Sequence, residues 1–160
     1  MKGVGLCLLV AAGGGIGCLR AASLRERERA LGAMCRFVDW LIREIRYTAA
    51  PLDVLLHRAS EAMGGDLPLF DTVETFDAWR AALADSVKNI NFTDEDAAHI
   101  YRFAEELGRS DVAGQLTHGA FYATLFEERR KAAREEAEKR GRLELMLWTG
   151  GAAVLALLWI

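Results

Sequence analysis

Three histidines, three cysteines, a glycine cluster and one run of acids are the residues whose types could do chemistry here. Their spacing argues that they do not. His57, His99 and His118 are isolated from one another, and no HExxH pair sets two ligands on one helix face. A lone histidine on a helix is structural or solvated far more often than catalytic. Cys7, Cys18 and Cys35 form no CxxC or Cys/His spacing, which argues against a zinc site or disulfide framework and fits a reduced, cytosolic domain. Asp94-Glu95-Asp96 could attract a cation, but acids at the start of a helix are accounted for by its positive end. No paired-carboxylate spacing suggests acid/base catalysis. Gly13-Gly14-Gly15-Ile16-Gly17 is not a dinucleotide loop, because no strand precedes it and no acidic residue follows at the ribose-binding distance. There is no Walker loop. The expectation is a protein that is not an enzyme, with no catalytic residue, metal, cofactor or small-molecule substrate.

With catalysis set aside, the elements themselves carry the information. The chain has 160 residues, 52% of them hydrophobic and 27% charged, with a mean hydropathy of +0.08. These figures are compatible if the apolar residues are concentrated, and they are: Gly3 to Leu19 and Leu145 to Ile160 contain no charged side chain. A bilayer core of roughly 30 Å is crossed by about 20 apolar helical residues, with about 17 to 25 tolerated. Both runs are short spans. Ala21, Ala22 and Leu24 lengthen the first if Arg20 snorkels, and Trp148 and Trp159 sit where an interfacial aromatic belt would place them. The expected organisation is an N-terminal transmembrane helix over residues 1–22, a cytoplasmic helical-bundle domain over 23–142, and a C-terminal transmembrane helix over 143–160.

Orientation follows from the distribution of Lys and Arg. Arg20, Arg25, Arg27 and Arg29 lie just inside the first run, against Lys2 alone outside it. Arg129, Arg130, Lys131, Arg134, Lys139, Arg140 and Arg142 precede the second run, and nothing basic follows. Both biases place the central domain in the cytoplasm and its two ends in the lipid bilayer of the cell membrane. A competing reading is an exported lipoprotein anchored at Cys18. Gly15-Ile16-Gly17-Cys18 resembles a lipoprotein cleavage box, but glycine stands where that box wants a bulky aliphatic, and the arginines beyond would resist export. Gly13 and Gly17 form a GxxxG pair that permits close helix approach in lipid, with Gly150 and Gly151 as the facing surface; the alternative is plain tolerance of glycine in membrane helices. The net charge of -3 conceals a segregation: residues 48–106 carry four basic and twelve acidic side chains, and the basic residues gather near the apolar ends. A nucleic-acid binder would show the reverse, a basic stripe away from a membrane.

The central domain reads as all-α. Leu31, Met34, Val38, Leu41 and Ile45 recur at three and four, so a helix is expected to continue from the first span to about Tyr47. Pro51 suits the first turn of a second helix, with Leu52, Leu55, Leu56 and Ala59 inward and Gly64 and Gly65 at its end. A third helix is expected over about Leu67 to Val87, with Leu69, Phe70, Val73, Phe76 and Leu83 inward, and a loop over Asn89 to Phe92. Thr93 caps a fourth helix whose apolar side is Ile100, Phe103, Ala104 and Leu107, stopped by Gly108. Ser110 or Asp111 caps the last, whose first half buries Val112, Leu116, Phe121, Tyr122, Leu125 and Phe126. From Glu127 to Arg142 it is expected to be a solvated stalk held by Glu127–Lys131, Glu135–Lys139 and Glu138–Arg142 pairs.

Four stretches, in order and at the right spacing, resemble the stage III sporulation protein AB family. They are the glycine-rich apolar start followed by Arg25-Glu26-Arg27-Glu28-Arg29-Ala30-Leu31; Glu44-Ile45-Arg46-Tyr47 with Pro51-Leu52; Leu107-Gly108-Arg109-Ser110-Asp111 with Gln115; and the charged helix with its glycine-containing apolar tail. Glu28 stands where the family pattern leads one to expect proline, which favours an unbroken helix there. Glu44, Tyr47, Pro51, Leu52, Gly108 and Asp111 are the structural residues of the motifs. The resemblance implies a non-enzymatic membrane component of the mother-cell machinery that connects to the forespore. Its domain would be similar to those of inner-membrane platform proteins of type II secretion and type IV pilus systems. Its implied partner is the cytoplasmic ATPase, stage III sporulation protein AA, alongside other channel components. The acidic middle of the chain suggests a docking face for that ATPase at Asp66, Asp71, Glu74, Asp77, Asp94, Glu95 and Asp96, the alternative being an ordinary solvated surface. A membrane-tethered adaptor or holin-like component unrelated to secretion is the other reading of the chain as a whole.

Overall fold

In the computed structural model every regular element among the described residues is helical, and five are described: α1 Lys2–Thr48, α2 Leu52–Met63, α3 Phe76–Asn89, α4 Asp94–Glu106 and α5 Val112–Leu157. The structure describes the backbone of residues 2–48, 50–63 and 75–157, and the side chains of 22–48, 50–63 and 75–143.

The two long helices form the largest interface, and small residues set it. Ala30 and Ala33 of α1 and Ala133 of α5 are all buried. A Cβ on Gly119 would lie 2.7 Å from Ile42 Cγ1, so glycine is what admits α1 at that level. Gly32 lies against the Arg130 stem, and Arg27 meets Glu136. As residue numbers fall along α1 they rise along α5, so the pair is antiparallel. Both helices therefore leave the bundle side by side, where Arg25 and Arg29 border the same surface cleft as Arg134 and Glu138.

The three shorter helices close the other side of this pair. Leu55, Leu56 and Ala59 of α2, Trp79, Leu83 and Val87 of α3, and Ile100, Phe103 and Ala104 of α4 pack with Met34, Phe37, Val38 and Leu41 of α1 in one core. Phe103 is its hub, with ring centroids 6.2 Å from Phe37, 5.2 Å from Tyr122 and 5.9 Å from Phe126, separations at which aromatic pairs attract. Local signals fix most boundaries. Thr93 and Asp96 close a reciprocal capping box on α4. Gly108 turns the chain at φ 80 after α4. Asp111 Oδ1 accepts from Gly114 N at 2.9 Å, which makes Asp111 the cap of α5 rather than Ser110.

Several expectations are corrected. The described third helix starts at Phe76, not near Leu67, because Thr75 is extended and caps it by accepting from Ala78 N; Leu69, Phe70 and Val73 lie outside the described residues. Val112 and Phe121 are exposed rather than buried, at 49% and 62%. The charged stretch of α5 is not simply a solvated stalk, since Ala133 is fully buried against α1 and Glu136 is bound by Arg27. Of the three intrahelical pairs only Glu135–Lys139 forms; Glu127 pairs with Arg130 and Glu138 with Arg134. Among the described residues no helix is long and apolar enough to cross a membrane. The side chains of the two charge-free runs lie outside the described residues, as does the packing at Gly13, Gly17, Gly150 and Gly151.

Candidate functional site

Charge is concentrated inside the bundle at the end where α1 and α5 leave together. Asp96 is 0% exposed, and three helices converge on it. Arg27 Nε of α1 donates to its Oδ2 at 2.7 Å, and Arg129 Nε of α5 donates to its Oδ1 at 2.6 Å. Thr93 N also donates to Oδ2, at 3.2 Å. Each arginine then spends a second nitrogen nearby: Arg27 Nη1 on Glu136 at 3.0 Å, and Arg129 Nη1 on Glu95 at 2.6 Å. Arg129 Nη2 reaches Thr93 Oγ1 at 3.1 Å. Burial pushes the Asp96 carboxyl up, but the hydrogen bonds from Arg27, Arg129 and Thr93 more than offset it and hold the group below the usual carboxylate range. Burial acts against the charge on Arg129, and the bonds to Asp96 and Glu95 raise its pKa in spite of that. The arrangement is a clamp of paired charges that fastens α4 to both long helices. Its lone pairs are engaged within the protein, so it is built to hold and not to turn over a substrate.

The residues of the expected acidic docking face differ in their placement. Asp96 is interior and committed to two arginines. Glu95 is exposed but paired with Arg129, and Asp94 is exposed beside it. Asp77 is exposed in the first turn of α3. Asp77 borders a surface hollow shared with Tyr101 and Glu105 from the second half of α4, so it lies about 20 Å, the length of α3, from Asp94. Asp66, Asp71 and Glu74 lie outside the described residues. The structure thus does not bring Asp77 and Asp94–Asp96 onto one patch. Nothing in the sequence marks Arg27 and Arg129 as their partners, 69 and 33 residues from Asp96.

The opposite end, about 27 Å away along α1, is where the Pro51-Leu52 and Leu107–Asp111 motifs meet. Leu52 and Gly108 touch: a Cβ on Gly108 would lie 3.1 Å from Leu52 Cδ2. Gly108 N donates to Gln115 Oε1 at 3.1 Å, and Gln115 Nε2 donates to Ser110 Oγ at 2.9 Å. Around this turn lies an open groove of about 210 Å³ lined by Ile45, Ala50, Leu52, Leu55, Val112 and the Gly108 turn. Pro51 enters α2 by accepting from Leu55 N at 3.1 Å. Tyr47, in the last turn of α1, is 81% exposed, and Val54 and Val112, in the first turns of α2 and α5, are also exposed.

The remaining cysteine and histidines are placed as follows. The Cys35 thiol is pushed up to about 11, by burial first and then by the Glu127 charge, which leaves it a thiol and a poor nucleophile. His118 stacks on Phe103 at 5.4 Å and places Nδ1 3.2 Å from Glu106. His57 is exposed on α2, and His99 lies 3.9 Å from Glu95. Among the described residues no group of three or more His, Cys, Asp and Glu could hold a metal ion.

Comparison with known proteins returns one family and no individual relative. The family model described as stage III sporulation protein AB matches residues 2–160. No curated protein matches, and no solved structure matches.

Proposed function

The chain belongs to the stage III sporulation protein AB family, which gives it a role in sporulation, and from that premise we propose that it is a platform held at two points against the cytoplasmic face of one membrane. It does no chemistry of its own. Residues 1–22 and 143–160 cross the bilayer, and residues 23–142 form the cytoplasmic domain that recruits an ATPase, stage III sporulation protein AA, to a secretion-like complex between mother cell and forespore.

The observation that carries this reading is the antiparallel pairing of α1 and α5. It sends both charge-free runs out of the same end of the bundle, with Arg25 and Arg29 on one helix beside Arg134 on the other at the point of exit. One end reaching a bilayer would make a tether. Two ends reaching it side by side, both flanked by arginine, suit a domain held at a fixed attitude to the membrane. Carried onward, the register of the described pairs suits a close approach of Gly13 and Gly150 within the bilayer.

Topology reporters fused at Met1 and at Ile160 in sporulating cells test the placement: both should report from outside the cytosol. A reporter active in the cytosol at either end defeats it, and fatty-acid labelling at Cys18 would replace it with a lipoprotein. Recruitment is tested separately, by whether the ATPase sediments with membranes that contain the full chain and stays soluble with membranes that lack it.

A further inference from the structure

The bundle's far end differs from the rest of the described surface. Four helix termini meet there, and those of α1, α2 and α5 each present an exposed apolar or aromatic residue: Tyr47, Val54 and Val112. Between α2 and α5 the groove bordered by Ile45, Leu52, Leu55 and Val112 has room for a branched apolar side chain. Its floor is fixed. Gly108 lacks a Cβ where one would crowd Leu52, and the Gln115 bonds to Gly108 and Ser110 lock the turn. A rigid apolar pocket with a polar edge is the usual form of an anchor site.

Most acids at this end are occupied: Glu44 pairs with Arg58 at 3.5 Å, Asp53 accepts from Phe76 N at 3.0 Å, Glu106 lies 3.2 Å from His118 Nδ1, and Asp111 caps α5; Glu105, in the last turn of α4, is exposed. Arg46, next to Ile45, and Arg109, between Gly108 and Ser110, are exposed and have no acidic partner among the described residues. Two copies meeting tip to tip would set these arginines against each other, which opposes a symmetric dimer.

We propose that this tip docks an acidic amphipathic helix of the cytoplasmic partner. One apolar side chain sits in the groove, and flanking carboxylates pair with Arg46 and Arg109. The proposal rests on the reading of the domain as a recruiting platform, and it replaces an acidic docking face with a basic, apolar one. Because the charged contacts lie on the rim, they set salt dependence and encounter rate, while the seated side chain sets the lifetime of the complex.

The test uses the full chain in lipid nanodiscs, with the purified ATPase as the probe and a photoreactive amino acid at position 112 or, for comparison, at 121. Crosslinking should occur at 112, map to an acidic-apolar segment of the ATPase, and fall at least tenfold with Arg46→Glu and Arg109→Glu together. Asp77→Lys should leave it unchanged. Both variants lie on exposed residues, and an unchanged thermal transition shows that they fold. Crosslinks at 121 but not at 112, adducts between two copies of this chain at 112, or a yield indifferent to the arginine reversals each overturn the tip assignment while leaving the platform reading in place. A wild-type chain that recruits no ATPase overturns both.

Discussion

At the end of the bundle where α1 and α5 depart together, charges are turned inward and matched; at the other end they are turned outward and left over. Asp96, Arg27 and Arg129 bury an ionised cluster that binds three helices near the exit of the long pair. At the far end, among the described residues, the groove stays open and Arg46 and Arg109 have no acidic partner. A buried ion pair is costly to desolvate and seldom adds net stability over apolar packing, but it tolerates few alternative arrangements. An open apolar groove is the converse, adding nothing to the isolated domain and offering burial to something else. The difference teaches that one end of this small bundle is organised for fixed geometry and the other for contact.

The sharpest way to break the comparison is at Asp96. Asp96→Ala leaves Arg27, at 5% exposure, buried with its charge uncompensated from α4, and removes the reciprocal cap of the helix. A loss of about 3–5 kcal/mol is expected, the usual cost of removing one partner from a buried pair. Denaturant unfolding of the full chain in detergent micelles, followed by far-ultraviolet circular dichroism, measures it. The same cluster predicts a pH dependence. Hydrogen bonding by Arg27, Arg129 and Thr93 overcomes burial and holds the folded carboxyl low. The unfolded value is about 3.9. The stability it confers is therefore complete above that value and is lost as pH falls through the lower, folded one. Asp96→Asn should remove this acid-side slope; an identical slope in the variant would place the titration elsewhere.

How the two ends could be read from residues alone differs for the same reason. Helices, caps and stops rest on local signals: the three-and-four spacing of Leu31 to Ile45, Pro51, Thr93, Gly108 and Asp111 all act within a few residues. The family motifs at the far end were likewise visible, because Leu52 and the Gly108 turn belong to short stretches of fixed spacing. The interior cluster was not. Three successive acids look alike, and only the packing of α4 against α1 and α5 turns the third inward. The start of α3 was misplaced for a related cause: Phe76 N is also held by Asp53, 23 residues earlier, a contact no periodicity records. Ala133 carries no sequence signal of burial, because alanine favours helix on any face. Its role in letting α1 approach appears only once the partner helix is in place.

A smaller effect is expected at the far end. Gly108 holds φ 80 and faces Leu52, so Gly108→Ala combines left-handed backbone strain with a tight contact. About 1–2 kcal/mol should be lost, the ordinary cost of a left-handed non-glycine residue. If this variant proves as damaging as Asp96→Ala, the far end is as structurally committed as the near one and the contrast fails.

The smallest effect belongs to the exposed length of α5. Lys139 and Glu135 approach at 3.9 Å with both side chains largely in solvent, where pairing is screened and the side-chain entropy it costs nearly matches what it gains. Lys139→Ala should leave the unfolding transition unchanged within error, in low and high salt alike. The interest of so small an effect lies in its neighbour. Glu136, one residue along, turns toward α1 and accepts from buried Arg27. Glu136→Ala should therefore destabilise measurably where Lys139→Ala does not. Equal behaviour of the two would mean that α5 is a uniform solvated rod after all, and that only Asp96 and Arg129 join it to the rest of the bundle at that level.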